Sequence, residues 1–99
     1  MIKVEVTKNN ISILGHAMYD DYGKDIVCAS VSSIVMTSVE SIAAFDEKAI
    51  DIKQAKDKLE IVINKYDDIT NKLINTMLTL LSELEKKYPK NIKITNKEE

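Results

Sequence analysis

Residues 2–7, IKVEVT, alternate apolar and polar side chains, the two-residue period of a strand buried on one face. KNN follows as a turn, since Asn bonds its own backbone and tolerates positive φ. Alternation resumes in residues 11–16, ISILGH. The pair predicts a hairpin over 2–16, with Ser12, Leu14 and His16 on one face and Ile11, Ile13 and Gly15 on the other. Residues 17–24 lose all periodicity, contain Gly23 and predict a loop. Asp25 suits an N-cap, and a helix is expected from about Ile26 to Ala44. Cys28, Val31, Val35, Val39 and Ile42 follow one side of it, and Val27, Ile34 and Ala43 widen the stripe. So apolar a helix is expected to be largely buried.

The pattern returns to strands in IDIKQAKDKLEIVIN, a second hairpin with its turn near Lys56–Lys58 and its stronger strand at Leu59–Ile63. YDDIT opens a second helix, in which Ile69, Leu73, Met77, Leu80, Leu81, Leu84 and Tyr88 recur at three or four residues until Pro89 stops it. NIKIT alternates again and predicts a short last strand. The order is ββαββαβ, without repeat or linker. It predicts an α+β fold in which two helices pack on a mostly antiparallel sheet.

Composition bounds this picture. Ninety-nine residues make one domain, 1–99, with 44% hydrophobic content. A core of that size is marginal unless the chain associates. The first helix is apolar nearly all round, the second adds a long stripe, and one small sheet covers both poorly, so a homodimer is expected. The N-terminus alternates and lacks the apolar stretch of a signal peptide. No run approaches the ~20 apolar residues of a membrane span, so no membrane partner is expected. One cysteine forms no disulfide within its own chain, and a lone thiol fits a reducing compartment, which predicts a cytoplasmic location. Net charge is -2, and all 14 basic residues are lysine. Base readout and phosphate clamping favour the planar fork of arginine, so no direct nucleic-acid binding is expected. The lysines from Lys86 to Lys97 read as a solvated surface.

Candidate chemistry is confined to one stretch. Both glycines, the one histidine and the one cysteine fall within Gly15–Cys28. Cys28 lies in the first turn of the first helix, where backbone N–H groups and the positive dipole end gather and stabilise a thiolate. His16 lies twelve residues earlier, where the chain leaves the sheet. A nucleophile, a base and aimed N–H donors are the parts of acyl transfer. Taken alone, such a cysteine is also a small core residue and such a histidine a strand-end cap. Zinc is disfavoured, because a closed site needs four ligands and the chain has one His and one Cys. Asp25 either orients His16 or only caps the helix. Asp20 and Asp21 read as solvated loop charges, and Ser32 as packing or a helix back-bond.

The segment resembles the signature of the ribosomal-processing cysteine proteases, the Prp family. That signature pairs Gly-His-Ala with a later Gly-x-Asp-x-Val-Cys-Ala-x-Val-Ser. Here stand Gly15-His16-Ala17 and then Gly23-Lys24-Asp25-Ile26-Val27-Cys28-Ala29-Ser30-Val31-Ser32. Ser30 departs from the more usual Ala and is also small. Length and element order fit along the whole chain. The resemblance implies a cysteine endopeptidase that removes the N-terminal extension of a large-subunit ribosomal protein, the twenty-seventh, during ribosome assembly. It implies Cys28 as nucleophile, His16 as general base, no cofactor and a homodimer. It also implies a mobile substrate-gating loop that includes Gly15, Ala17, Tyr19, Tyr22 and Gly23, with the two tyrosines candidates to face the peptide. Two other readings stay open beside it: a non-catalytic module docking on a ribosomal protein or the assembling subunit, and a thiol redox switch at Cys28.

Overall fold

A computed structural model describes residues 1–15 and 25–97. Its elements follow the expected order: β1 Ile2–Val6, β2 Asn10–Gly15, α1 Ile26–Phe45, β3 Ile50–Ala55, β4 Lys58–Ile63, α2 Asp68–Lys87 and β5 Ile92–Asn96. The strands form one sheet in the order β3-β4-β2-β1-β5. Every neighbouring pair is antiparallel except β1 with β5, which run parallel. The fold is therefore α+β with a mostly antiparallel sheet.

Cross-strand register explains how one face becomes the core. Val4 sits opposite Ile13 and Ile94, and Ile11 sits opposite Val6 and Ile61. These side chains share a face because paired residues point the same way. Ile2, Val4, Ile11, Ile61 and Ile92 are buried there with Val27, Val31, Val35, Val39 and Ile42 of α1. Ile74, Met77 and Leu81 of α2 complete the cluster. The opposite face carries Lys3, Glu5, Ser12, Lys53, Lys58 and Lys93, the polar half of each alternation. Ser12 and Leu14 share that polar face as expected, and Ile11 and Ile13 the other.

Helix boundaries have local causes. Asp67 caps α2, its Oδ1 accepting the Thr70 N–H at 2.9 Å. Lys86 and Lys87 complement the dipole in its last turn. Tyr88 closes the helix by donating its N–H to the Leu84 carbonyl, and Pro89 cannot continue it. The β3–β4 turn is Lys56–Asp57, with Asp57 at φ 59°, in the left-handed region that Asp tolerates better than most residues.

Three expectations are corrected. The buried line of α2 is Thr70, Ile74, Met77 and Leu81, whereas Ile69 and Leu80 are exposed. The apolar band on α2 is wider than one helical stripe, so periodicity alone leaves its edge open by one position, and the hydroxyl of Thr70 masks its buried place. Helix α1 buries only one line of residues, and Ile26, Met36 and Phe45 are exposed along with Ala43. Finally, α1 is long and apolar enough to cross a membrane, by length and composition only. Its serines and Thr37 interrupt the apolar run without adding charge, and Glu40 is its one charged residue. In this fold its buried line belongs to the common core.

Candidate active site

Helix α1 begins at a single cap. The Oδ1 atom of Asp25 accepts the N–H of Val27 at 2.9 Å and that of Cys28 at 3.0 Å. The Asp25 carbonyl accepts the Ala29 N–H at 3.1 Å, the first bond of the helix ladder. Asp25 itself stays extended, with φ -75° and ψ 103°, as an N-cap must. The nucleophile candidate is thereby fixed by its own backbone. Cys28 is half-buried and packs against the core beside Val27 and Val31.

This geometry revises one part of the sequence argument. Of the first-turn N–H groups, those of Val27 and Cys28 bond the cap rather than standing free for a developing oxyanion. Asp25 is an N-cap here. Its second candidate role, orienting His16, involves a residue outside those described. Ser30 donates to the Ile26 carbonyl at 2.7 Å, and Ser32, read as packing or a helix back-bond, is exposed.

Gly15 ends β2 and starts the segment that carries the histidine. Its φ is +82°, which an L side chain rarely adopts. A Cβ there would stand 2.7 Å from the Met1 carbonyl oxygen, inside van der Waals contact with backbone. No other residue type fits without moving β1. His16, Ala17, Tyr19, Asp20, Asp21, Tyr22 and Gly23 lie outside the described residues, and so does the loop expected over 17–24.

Between the helices runs a shallow groove of about 550 Å³. The N-terminal half of α1 lines one wall with Ala29, Ser33 and Ile34. The C-terminal half of α2 lines the other with Leu80, Leu84 and Lys87. The two helices are therefore antiparallel, and the groove opens one residue beyond Cys28. Among the described residues, no group of three or more His, Cys, Asp or Glu side chains is placed to hold a metal ion.

Comparison with known proteins gives a consistent result. The family model described as cysteine protease Prp matches residues 1–93. The ribosomal processing cysteine protease Prp of Staphylococcus aureus (strain Mu50) is 31% identical over 106 residues, covering 98% of this chain and all of that protein. Its counterpart from Mycoplasma genitalium is 30% identical, covering 95% and 94%. A crystal structure of the S. aureus protease with a covalently linked product peptide superposes with a TM-score of 0.92 at 29% identity, over 98% of this chain and all of the other. The same protease with a substrate peptide gives 0.80 at 28% identity, with the same coverage.

Proposed function

Since this chain belongs to the cysteine protease Prp family, we propose that it removes the N-terminal extension of a large-subunit ribosomal protein, the twenty-seventh, during ribosome assembly. The enzyme class is a cysteine protease. The observation that carries the reading is Cys28 itself: a half-buried cysteine in the first turn of α1, anchored through Asp25, within the Gly15–Ser32 signature. The match to a relative solved with a covalently linked product peptide supports it.

In this reading His16 takes the Cys28 proton and the sulfur attacks the scissile carbonyl carbon. The C–N bond then breaks, His16 gives its proton to the leaving amine, and a thioester joins the N-terminal fragment to Cys28. Water, deprotonated by His16, attacks the thioester and breaks the C–S bond, His16 returns its proton to the sulfur, and the fragment leaves as a carboxylic acid that ionises to solvent. The experiment is to incubate the protein with the extended ribosomal protein of the same organism and determine the new N-terminus by mass spectrometry. One cut that removes the extension is expected. An intact substrate, or equal cutting by Cys28→Ala, sinks the reading.

The protein is further proposed to act as a homodimer in the cytoplasm. The apolar residues that α1 leaves exposed support the dimer: Ile26, Met36 and Phe45, with Glu40 as the helix's one charge, and Leu80 of α2 is exposed as well. A lone cysteine supports the reducing compartment.

A further inference from the structure

Both helices pack on the sheet face that carries Val4, Ile11 and Ile61, and the charges of the other face are sorted by row. Cross-strand register aligns Lys93 of β5, Lys3 of β1, Leu14 of β2, Lys58 of β4 and Ala55 of β3 in one line. Two residues along each strand, on the same face, the next line reads Thr95, Glu5, Ser12, Glu60 and Lys53. The acids of that second line are engaged: Glu5 pairs with Lys97 at 3.0 Å, and Glu60 accepts from the side-chain amide of Asn10. The first line holds three exposed lysines and no acid. Lys3 and Lys93 stand directly opposite each other, a placement that destabilises a sheet by like-charge repulsion.

The line lies at the rim from which β2 leaves the sheet. There the Ile2 N–H donates to the Asn91 carbonyl at 2.8 Å and the Gly15 N–H to the Asp57 carbonyl at 2.9 Å. These bonds bring two turns, with Lys90 and Lys56, to the same rim. All five lysines are exposed, and among the described residues none of them forms an ion pair. Asp57 is the one acid among residues 1–3, 56–58 and 90–93. A chain of net charge -2 thus gathers cations at one rim. Lysine on an edge strand blunts unwanted strand pairing, which accounts for Lys93 on β5. Lys3 and Lys58 lie on inner strands and need another reason.

We propose that this rim docks the phosphate backbone of RNA. At a strand spacing of about 4.8 Å, the line from Lys93 to Lys58 extends about 14 Å, which suits a row of charges rather than a single anion. Peptides that dock on sheets draw on a strand edge and on side-chain pockets. A row of lysines across inner strands offers no edge, whereas a phosphate backbone asks only for charge within reach. The expectation against nucleic acid turned on the absence of arginine for base readout and clamping. Lysine binds phosphate as a point charge, so contact at this rim is independent of base sequence. The choice of RNA rests on the proposed function, in which the substrate assembles with RNA into the ribosome.

The test is fluorescence anisotropy of a short labelled single-stranded RNA, titrated with the protein across a salt series. At physiological salt a Kd of about 1–100 µM is expected, with a log–log salt slope of about -2 to -3.5 for three to five phosphates. Lys3→Gln, Lys58→Gln and Lys93→Gln combined should weaken binding about tenfold or more and flatten the slope by about 2. Lys58→Gln alone should flatten it by about 0.7, and carries the test if circular dichroism shows the triple variant unfolded. Lys48→Gln with Lys72→Gln removes charge at the far end of the sheet and of α2, and should stay within about twofold of the parent. The proposal is overturned if the parent does not bind RNA, or if the row variants bind as the parent does. It is equally overturned if the far pair weakens binding as much per charge, since overall charge alone would then act. Displacement of the RNA by polyglutamate as readily as by unlabelled RNA would make an acidic peptide the occupant and overturn it too. Cleavage of the extended ribosomal protein is read separately: a cut substrate without RNA binding overturns this proposal alone, and an uncut one with RNA bound sinks only the proposed function.

Discussion

Asp25 answers for the placement of Cys28, and a pair of substitutions tells what else it does. Asp25→Ala removes the acceptor of two N–H groups and should cost about 0.5–2 kcal/mol, the usual range for a lost cap, measured by urea unfolding. Asp25→Asn keeps an oxygen in place and should retain both the stability and most of the cleavage rate. Loss of cleavage in Asp25→Asn with stability intact would show that the carboxylate charge acts on His16. Cys28→Ala should abolish cleavage with the circular dichroism spectrum unchanged, because little volume is lost. Cys28→Ser should be nearly as inactive, since a hydroxyl at its ordinary pKa is a far weaker nucleophile. At this scale the sequence was informative for chemistry and poor for geometry. Gly15 and Cys28 stand out by rarity and spacing, and Asp25 by its place just before the helix. That Gly15 must be glycine depends on the Met1 carbonyl, which reaches it only through the β1–β2 register, and no local pattern displays that approach.

Single elements were legible where one period dominates. Four of the five buried positions on α1, Val31, Val35, Val39 and Ile42, follow its predicted side, and Val27 comes from the wider stripe. Helix α2 shows the limit, because an apolar band broader than one stripe leaves its orientation to packing. The burial of Met77 gives that orientation a measurable consequence. It is fully enclosed, so Met77→Ala should cost about 2–5 kcal/mol in chemical denaturation. The exposed Leu80 should tolerate alanine at little cost to the monomer fold. The entry to α2 also responds to acid. The Thr70 N–H bonded to Asp67 holds its carboxyl below the usual range, and Asp46 is lowered by Lys65 and by the Lys48 N–H. Both contributions are whole above the ordinary carboxylate range and vanish as pH falls through the depressed folded values. Stability should therefore decline below about pH 4, and Asp67→Asn, tracked by thermal unfolding, should decline less steeply there.

For the molecule as a whole, the exposed side of α1 predicts association. Sedimentation equilibrium at micromolar concentration should give about twice the 11.2 kDa chain mass, and Met36→Lys, which sets a charge on that face, should shift the population to single chains. A clean 11.2 kDa species for the parent protein would reject the dimer. The order of elements could be read along the chain, but their lateral order could not, because nothing local says that the last strand lies beside the first. That neighbour relation has a consequence in time. The parallel pairing sets Ile2 against Ile92 and Val6 against Asn96, and Lys97 reaches Glu5 at 3.0 Å across the same edge. Contacts between residues so far apart form late and slowly, because the whole intervening chain must first be closed into a loop. During synthesis β1 can find β2 within the first fifteen residues, but its other edge stays bare until residues 92–96 have cleared the exit tunnel. The Met1 carbonyl that crowds Gly15 sits at the start of that half-paired strand. A chain emerging from its N-terminus would thus complete the sheet that carries its proteolytic geometry last, and would spend the interval without a finished active site.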